Sequence, residues 1–139
     1  MMPSPDLPSG ISVAANLMEV RRLAEHLRMA CADKAIDELT TFDCELALVE
    51  AANNVVEHGY QGRPEGELTL IVQIAGGTMR MELLDRGTPV PDGLFLRCET
   101  VPPDATHGRG TGIIQSCMDA IEYTSENGLN RLVMTKRLP

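Results

Sequence analysis

The chain has 139 residues, 43% of them hydrophobic and 23% charged, which is ordinary globular usage and predicts one domain with its own core. Its formal net charge of −8 argues against nucleic-acid or anionic-membrane partners, because both need clustered Lys and Arg to neutralise phosphates. A nucleotide is compatible with this charge, since backbone N–H groups and a divalent cation hold phosphates without a basic surface.

The cysteines and the N-terminal segment indicate a reducing compartment. Cys31, Cys44, Cys98 and Cys117 form no C-x-x-C pair, which is the spacing typical of a zinc site. The first ten residues lack the basic and apolar regions of a signal peptide, and no apolar run reaches membrane-spanning length. We therefore expect a cytoplasmic protein with reduced thiols.

Hydrophobic periodicity predicts three helices and two β-hairpins after a lead-in over residues 1–10, which contains three Pro and is expected to be mobile or the edge of a strand. The predicted elements, in chain order, are helices over 16–31 and 41–58, strands over 67–75 and 78–84, a helix over 111–119, and strands over 120–125 and 130–138. Asn16 is the expected N-cap of the first helix, Leu17 lies among its apolar positions, and Gly59 ends the second helix.

This order of elements predicts an α+β fold in a single domain, residues 1–139. Helices would cover one face of a mainly antiparallel, mixed sheet, which makes a two-layer α/β sandwich. Residues 86–110 contain four prolines and four glycines, too irregular for a packed element. A segment of this length without regular structure is usually functional or mobile in a compact domain.

The second predicted helix carries a polar stripe beside its apolar face. Glu50, Asn54 and His58 recur every four residues, so adjacent members lie about 6 Å apart along the axis. A carboxylate and a carboxamide one turn apart suit a proton acceptor and a ligand for a hard cation. A solvated polar edge explains the same pattern, and the stripe alone leaves both interpretations open.

Two glycine-containing segments follow. Asp85 ends an apolar strand, where its carboxylate can accept a hydrogen bond from an exocyclic amine and Gly87 lets the backbone approach a base. The sequence GRGTG at 108–112 leads into a helix, whose N–H groups and dipole favour a phosphate. It matches neither a P-loop nor a dinucleotide-binding fingerprint. Each segment, taken alone, also fits an ordinary turn.

Together, the three segments resemble the nucleotide site of the histidine-kinase-like (GHKL) ATPases. The stretch ELALVEAANNVVEHGY is similar to their N-box, LLDRGTP to their first glycine box, and GRGTGIIQSCMDAIEY to their second. The closest resemblance is to the anti-sigma-factor serine kinases (RsbW-like and SpoIIAB-like), and it extends over residues 12–138. This resemblance implies a Bergerat-type ATP-binding fold.

The resemblance also implies a role for each segment. Glu50 would be the general base that prepares the attacking hydroxyl, and Asn54 would ligate a Mg²⁺ ion that bridges the ATP phosphates. Asp85 would accept from the adenine amino group, with Gly87 beside the base. Residues 91–107 would form a lid over the nucleotide. The residues implied along the triphosphate are Gly108, Arg109, Gly110, Thr111 and Gly112.

The function implied by the resemblance is that of a protein-serine kinase and anti-sigma factor. Such a protein phosphorylates a small anti-sigma-factor antagonist, sequesters a sigma factor, and commonly forms a homodimer. A nucleotide-binding switch without phosphoryl transfer is the main alternative. A third interpretation, an ATPase domain serving a larger histidine kinase, is disfavoured because the chain shows neither the dimerisation helix nor the phospho-acceptor histidine region.

The chain departs from the family pattern at three places. Thr88–Pro89 replaces the second glycine of the first box, and Thr111 and Gly112 stand where larger apolar residues are common. Thr106–His107 occupies the position of a phosphate-contacting arginine found in some members. We expect Arg109 to substitute for that arginine.

Overall fold

The computed structural model describes residues 8–61, 66–89 and 109–139, with side chains from Ile113 onward in the last range. The elements are β1 (Ser9–Ala14), α1 (Leu17–Asp33), α2 (Glu38–Asn54), β2 (Glu67–Ala75), β3 (Thr78–Asp85), α3 (Arg109–Cys117), β4 (Ala120–Glu126) and β5 (Leu129–Arg137). A π-helical turn, Val55–Gly59, continues α2. The predicted helices and hairpins are confirmed, whereas β1 was not predicted. None of the helices in the described ranges is both long and apolar enough to cross a membrane.

The five strands form one sheet in the order β1-β2-β3-β5-β4. The predicted mainly antiparallel sheet is confirmed, and each pairing between the described strands is antiparallel. Strand β3 lies at the centre, and the register pairs its last residue, Asp85, with Asn130 of β5. The topology therefore brings a carboxylate and a carboxamide together at one end of the central strands.

The core lies between the helices and one face of the sheet. The alternation of β2 places four apolar side chains on that face, as the sequence predicts: Leu68, Leu70, Val72 and Ile74. They join one apolar cluster with residues of all three helices. Each fully buried side chain of this kind contributes roughly 1.5–3 kcal/mol. The two-layer sandwich is thus held by aliphatic burial, with few aromatic residues to assist it.

Helix α1 begins as predicted, with one correction on its apolar face. The Asn16 side chain accepts from the Glu19 amide at 2.9 Å, which caps the helix. Leu23 and Leu27 are fully buried. Leu17, expected among the apolar positions, is 53% exposed because it is the first residue of the helix and lies beyond the edge of the sheet core.

Helix α2 is anchored at its N-terminus and along its α1 side. The Asp37 carboxylate accepts from the Thr40 amide at 3.0 Å and caps the helix, which begins at Glu38, three residues before the predicted start. Arg28 of α1 bridges to two carboxylates of α2: its Nη1 lies 3.0 Å from Glu38 Oε1, and its guanidinium also pairs with Glu45. These contacts fix the helix that carries the predicted polar stripe.

Candidate functional site

The first part of the site is a buried cluster at the end of β3. Asp85 is 7% exposed and Asn130 is 2% exposed. Asp85 Oδ1 accepts from Asn130 Nδ2 and from the Gly87 amide, both at 2.8 Å. Asn130 Nδ2 also donates to the Gly87 carbonyl at 2.8 Å, and its Oδ1 accepts from Ser125. The carboxylate is therefore held in one orientation by the neighbouring strand.

The surroundings of Asp85 shift its pKa. Burial raises the pKa of the Asp85 carboxyl, while hydrogen bonds from Asn130 and the Gly87 amide oppose that rise. Asp85 Oδ1 already accepts both of these hydrogen bonds. No residue in the described ranges donates a hydrogen bond to Oδ2. A buried, oriented carboxylate of this kind suits recognition of an N–H donor on a base.

Gly87 is required by a close backbone approach. A Cβ atom at this position would lie 2.5 Å from the Gly59 carbonyl oxygen and 2.6 Å from its carbon. The approach is fixed by a hydrogen bond in which the Thr88 amide donates to the Gly59 carbonyl at 2.7 Å. The turn after β3 therefore packs directly on the end of the π-helical turn, at a distance that any larger residue would prevent.

Tyr60 holds the same turn from the other side. Its hydroxyl accepts from the Arg86 amide at 2.7 Å and donates to the Glu67 carbonyl at 2.8 Å. The ring is buried. Tyr60 thus connects the end of the helical segment, the start of β2 and the turn after β3, and it restricts where the backbone beside Asp85 can lie.

The second part of the site is the polar stripe of α2. Glu50 and Asn54 lie in the last two turns of the helix, and both are half-buried. No hydrogen bond joins either side chain to another residue of the described ranges. His58 follows in the π-helical turn and is exposed. Glu50 and Asn54 lie one helical turn apart on α2.

The two parts of the site meet at Gly59. A side-chain carbon at this residue would lie 3.8 Å from Asp85 Oδ1. Because Gly59 ends the segment that carries Glu50 and Asn54, the structure brings the predicted base-binding turn and the predicted polar stripe to one region.

The third predicted segment is only partly described. The predicted lid, 91–107, and Gly108 lie outside the described residues. Helix α3 begins at Arg109, two residues earlier than expected, so Arg109–Gly112 belong to its first turn instead of a preceding loop. Their side chains are not described. Helix α3 packs against α2, and Ile114 is fully buried. The N-terminus of α3 remains compatible with a bound phosphate.

Sequence reasoning missed the supporting residues Asn130 and Tyr60. Asn130 was predicted as the first residue of a strand and was given no role, because its partner Asp85 is 45 residues away. The fold indicates the importance of Asn130, because this carboxamide is only 2% exposed at the end of a strand. Tyr60 belongs to the quoted N-box stretch, but no local pattern indicates that its hydroxyl spans two backbone segments.

Comparison with known proteins identifies the family. A family model described as "Histidine kinase-like ATPase domain" matches residues 13–136. The anti-sigma F factor of Clostridium beijerinckii is 30% identical over 120 residues, covering 84% of this chain and 82% of that protein. The anti-sigma F factor of Halalkalibacterium halodurans is 29% identical over 108 residues, covering 76% and 73% respectively. The chain belongs to the histidine kinase-like ATPase family. Within it, the chain falls in the RsbW- and SpoIIAB-like branch, as the motifs indicate.

Solved structures confirm the fold. The crystal structure of the RsbU and RsbW domains of a Mycobacterium tuberculosis protein matches with a TM-score of 0.70 at 22% identity, covering 95% of this chain and 32% of that longer chain. The histidine kinase domain of a blue-light activated kinase from Erythrobacter litoralis matches with a TM-score of 0.57 at 15% identity, covering 91% and 62%. The predicted α+β, Bergerat-type fold is thus confirmed.

Proposed function

We propose that this chain binds ATP, transfers its γ-phosphoryl group to a serine of a small anti-sigma-factor antagonist, and sequesters a sigma factor. The observation that carries the proposal is the convergence at Gly59 of the buried Asp85 cluster and the helix that bears Glu50 and Asn54. The similarity to anti-sigma F factors supports the same function. We further propose that the protein acts in the cytoplasm as a homodimer.

The chemistry follows from the positions of the side chains. Asp85 would accept from the adenine amino group beside Gly87. The serine oxygen would form a bond to the γ-phosphorus as the bond to the ADP oxygen breaks, and Glu50 would take the hydroxyl proton. Because little covalent work falls to the protein, positioning and charge neutralisation account for most of the rate.

Asn54 fits a Mg²⁺ ion held mainly by ATP. Its side-chain oxygen is a hard donor, and the residue is half-buried in the last turn of α2. Magnesium commonly keeps several waters and takes one or two protein oxygens together with substrate phosphates, so a single amide ligand is sufficient. The ion would neutralise charge on the transferred phosphoryl group.

The direct test combines the chain, Mg²⁺, γ-labelled ATP and a purified anti-sigma-factor antagonist from the same genome. We expect label on a serine of the antagonist, and none on a variant whose acceptor serine is alanine. ATP binding without labelled serine would favour a nucleotide-dependent switch that performs no transfer. Absence of ATP binding would reject both functions.

Asp85→Asn should separate stability from nucleotide binding. The pKa of Asp85 is higher in the folded chain than in the unfolded chain, so protonation of this carboxyl stabilises the fold. That stabilisation is lost as the pH rises through the pKa of the folded state. Removing the charge should therefore leave the nucleotide-free variant at least as stable as the wild type at pH 7. ATP affinity should fall about 10- to 100-fold, since the acceptor for the adenine amino group is lost.

Thermal unfolding across pH and a nucleotide titration measure these two effects. Asp33→Asn is the matched control, because Asp33 is exposed at the end of α1. Unchanged ATP affinity in Asp85→Asn would contradict the base-binding role. A large loss of stability in Asp85→Asn at neutral pH would contradict the conclusion that burying the Asp85 charge destabilises the folded chain.

Asn54→Ala should weaken ATP binding only when Mg²⁺ is present. We expect a loss of at least about tenfold, comparable to the effect of removing partners of a bound metal. Titrations with Mg²⁺ and with a chelator distinguish this role, because the variant and the wild type should bind alike without the metal. Asn53→Ala is the control, since Asn53 lines a groove between α1 and α2 and is not among the residues predicted to hold the metal. An equal loss in the chelator would instead indicate damage to the fold.

A further inference from the structure

Helix α2 carries an apolar stripe on its outer surface. Leu39 is 71% exposed and Phe42 is 49% exposed, and Leu46 is half-buried one turn further on. These three residues, the α2 stripe, lie within a sector of about 60° around the helix axis, and Glu50 lies about 20° beyond its edge when residues advance 100° each. The predicted catalytic residue therefore extends the same surface.

Leu39 and Phe42 of the α2 stripe point away from the core, whereas Leu46 packs against the edge of the core. The opposite face of α2 is buried in the apolar cluster by residues that include Thr40, Cys44, Ala47, Leu48 and Ala51. On the α1 side, Arg28 connects to Glu38 and Glu45 and does not cover the stripe, since Leu39 and Phe42 keep their exposure. Leu39 and Phe42 are therefore not needed to hold the helix in place.

The exposure of Phe42 is significant because the chain contains few aromatic residues. The chain has two Phe and no Trp, and one of the two Phe residues lies half-exposed on this surface. Aromatic side chains supply much of the energy of protein interfaces and are enriched at their centres. A neighbouring group of Leu and Phe side chains on one helix face is therefore suited to contact another protein.

The distance between the α2 stripe and Glu50 indicates which protein would contact the stripe. Leu46 lies about 6 Å from Glu50 along the helix axis, Phe42 about 12 Å and Leu39 about 16 Å, at 1.5 Å per residue. A standard interface covers about 800 Å² on each partner, which is a disc of roughly 16 Å radius. A globular protein that places a hydroxyl at Glu50 would therefore extend over the stripe.

Charges around the stripe indicate the chemistry of the partner surface. Glu38, Asp43, Glu45 and Glu50 flank the stripe. In the described part of the chain, their cationic partners are Arg28, and Lys136 at 3.9 Å from Asp43. The surroundings are thus net acidic, and they complement an apolar surface with a basic rim.

We propose that the α2 stripe docks the serine-bearing substrate protein, through an apolar patch with a basic rim, and so presents its hydroxyl to Glu50. This inference rests on the proposed kinase function, because it is the transfer that places the substrate at Glu50. The stripe would act in recognition of the protein substrate and would not contact the nucleotide.

The test compares Phe42→Arg with the wild type in binding and in transfer. The probe is the purified antagonist protein from the same genome, titrated calorimetrically in the presence of ADP and then used as substrate with saturating ATP. We expect Kd and KM for the antagonist to rise about tenfold or more, with kcat changed less than about twofold. ATP affinity should be unchanged.

Matched variants distinguish a loss of docking from a loss of folding and from a general effect of added charge. Phe42→Ala, a small change at a half-exposed residue, should weaken antagonist binding with wild-type thermal unfolding. Thr124→Arg adds the same charge at an exposed position of β4 on the opposite face of the sheet, and it should bind like the wild type.

Three outcomes would overturn the docking proposal: wild-type binding by Phe42→Arg, failure of the wild-type chain to bind the antagonist, or conversion of a wild-type dimer to a monomer by Phe42→Arg in sedimentation. The last would assign the stripe to contact between two copies of the chain. Antagonist binding that depends on Phe42, without labelled serine, would reject phosphoryl transfer while retaining the docking surface.

Discussion

Replacing Glu50 by glutamine should reduce phosphoryl transfer to the antagonist by about 10²- to 10⁴-fold while ATP affinity stays within about twofold of the wild type. Glutamine keeps the size and the hydrogen-bonding oxygen of the side chain but cannot take the serine proton at neutral pH. Because Glu50 is half-buried and no described residue donates to it, the substitution leaves no broken contact in the described structure. Single-turnover labelling of the antagonist measures the rate.

The control for this result is Glu57→Gln, which makes the same change at an exposed residue of the π-helical turn. It should transfer phosphate at the wild-type rate. Full activity in Glu50→Gln would reject the general-base role. A parallel loss of ATP binding and transfer would instead make Glu50 part of the nucleotide-binding site.

Gly87→Ala should damage the fold and the base-binding region together. The added Cβ would lie 2.5 Å from the Gly59 carbonyl oxygen, and that neighbour is backbone held by the Thr88 amide, so it has little room to move. We expect the free energy of unfolding to fall by about 1–3 kcal/mol, as in other overpacked sites. Nucleotide affinity should fall at least about tenfold, because Asp85 Oδ1 loses its oriented amide donor.

Gly10→Ala provides the matched control. Gly10 lies in β1, where an added Cβ would meet the Leu70 carbonyl oxygen at 3.5 Å, an ordinary contact. Denaturant unfolding and a nucleotide titration should therefore show little change for this variant. Wild-type stability in Gly87→Ala would contradict the close approach of the two turns.

Local patterns predicted most of the fold. Alternation in β2, helical spacing in α1 and the glycine turns of the hairpins each depend on residues that are close in sequence. The strand β1 was missed because its six residues, SGISVA, are short and only Val13 is buried. It is stabilised by pairing with β2, a contact more than 50 residues away that no local signal reveals.

The candidate site was predicted in part. Glu50, Asn54, Asp85 and Gly87 were selected from motifs, and the fold brings their segments together at Gly59. The buried contact of Asn130 with Asp85 could not be predicted, because it depends on the register between β3 and β5. The roles assigned to these residues stay predictions until the variants are measured.

The π-helical turn Val55–Gly59 fixes the orientation of α2 relative to Asp85. The Tyr60 amide donates to the Val55 carbonyl five residues back, and the Gly59 carbonyl accepts from Thr88. These two hydrogen bonds, one within the helical segment and one to the turn after β3, are made by main-chain atoms, and the Tyr60 hydroxyl adds a side-chain contact to the Arg86 amide. An exposed position such as Glu57 can change in sequence without altering these main-chain bonds, whereas a residue inserted or deleted in the turn would rotate the whole helix relative to Asp85. Evolution at the exposed positions of this turn is thus constrained in length more than in composition.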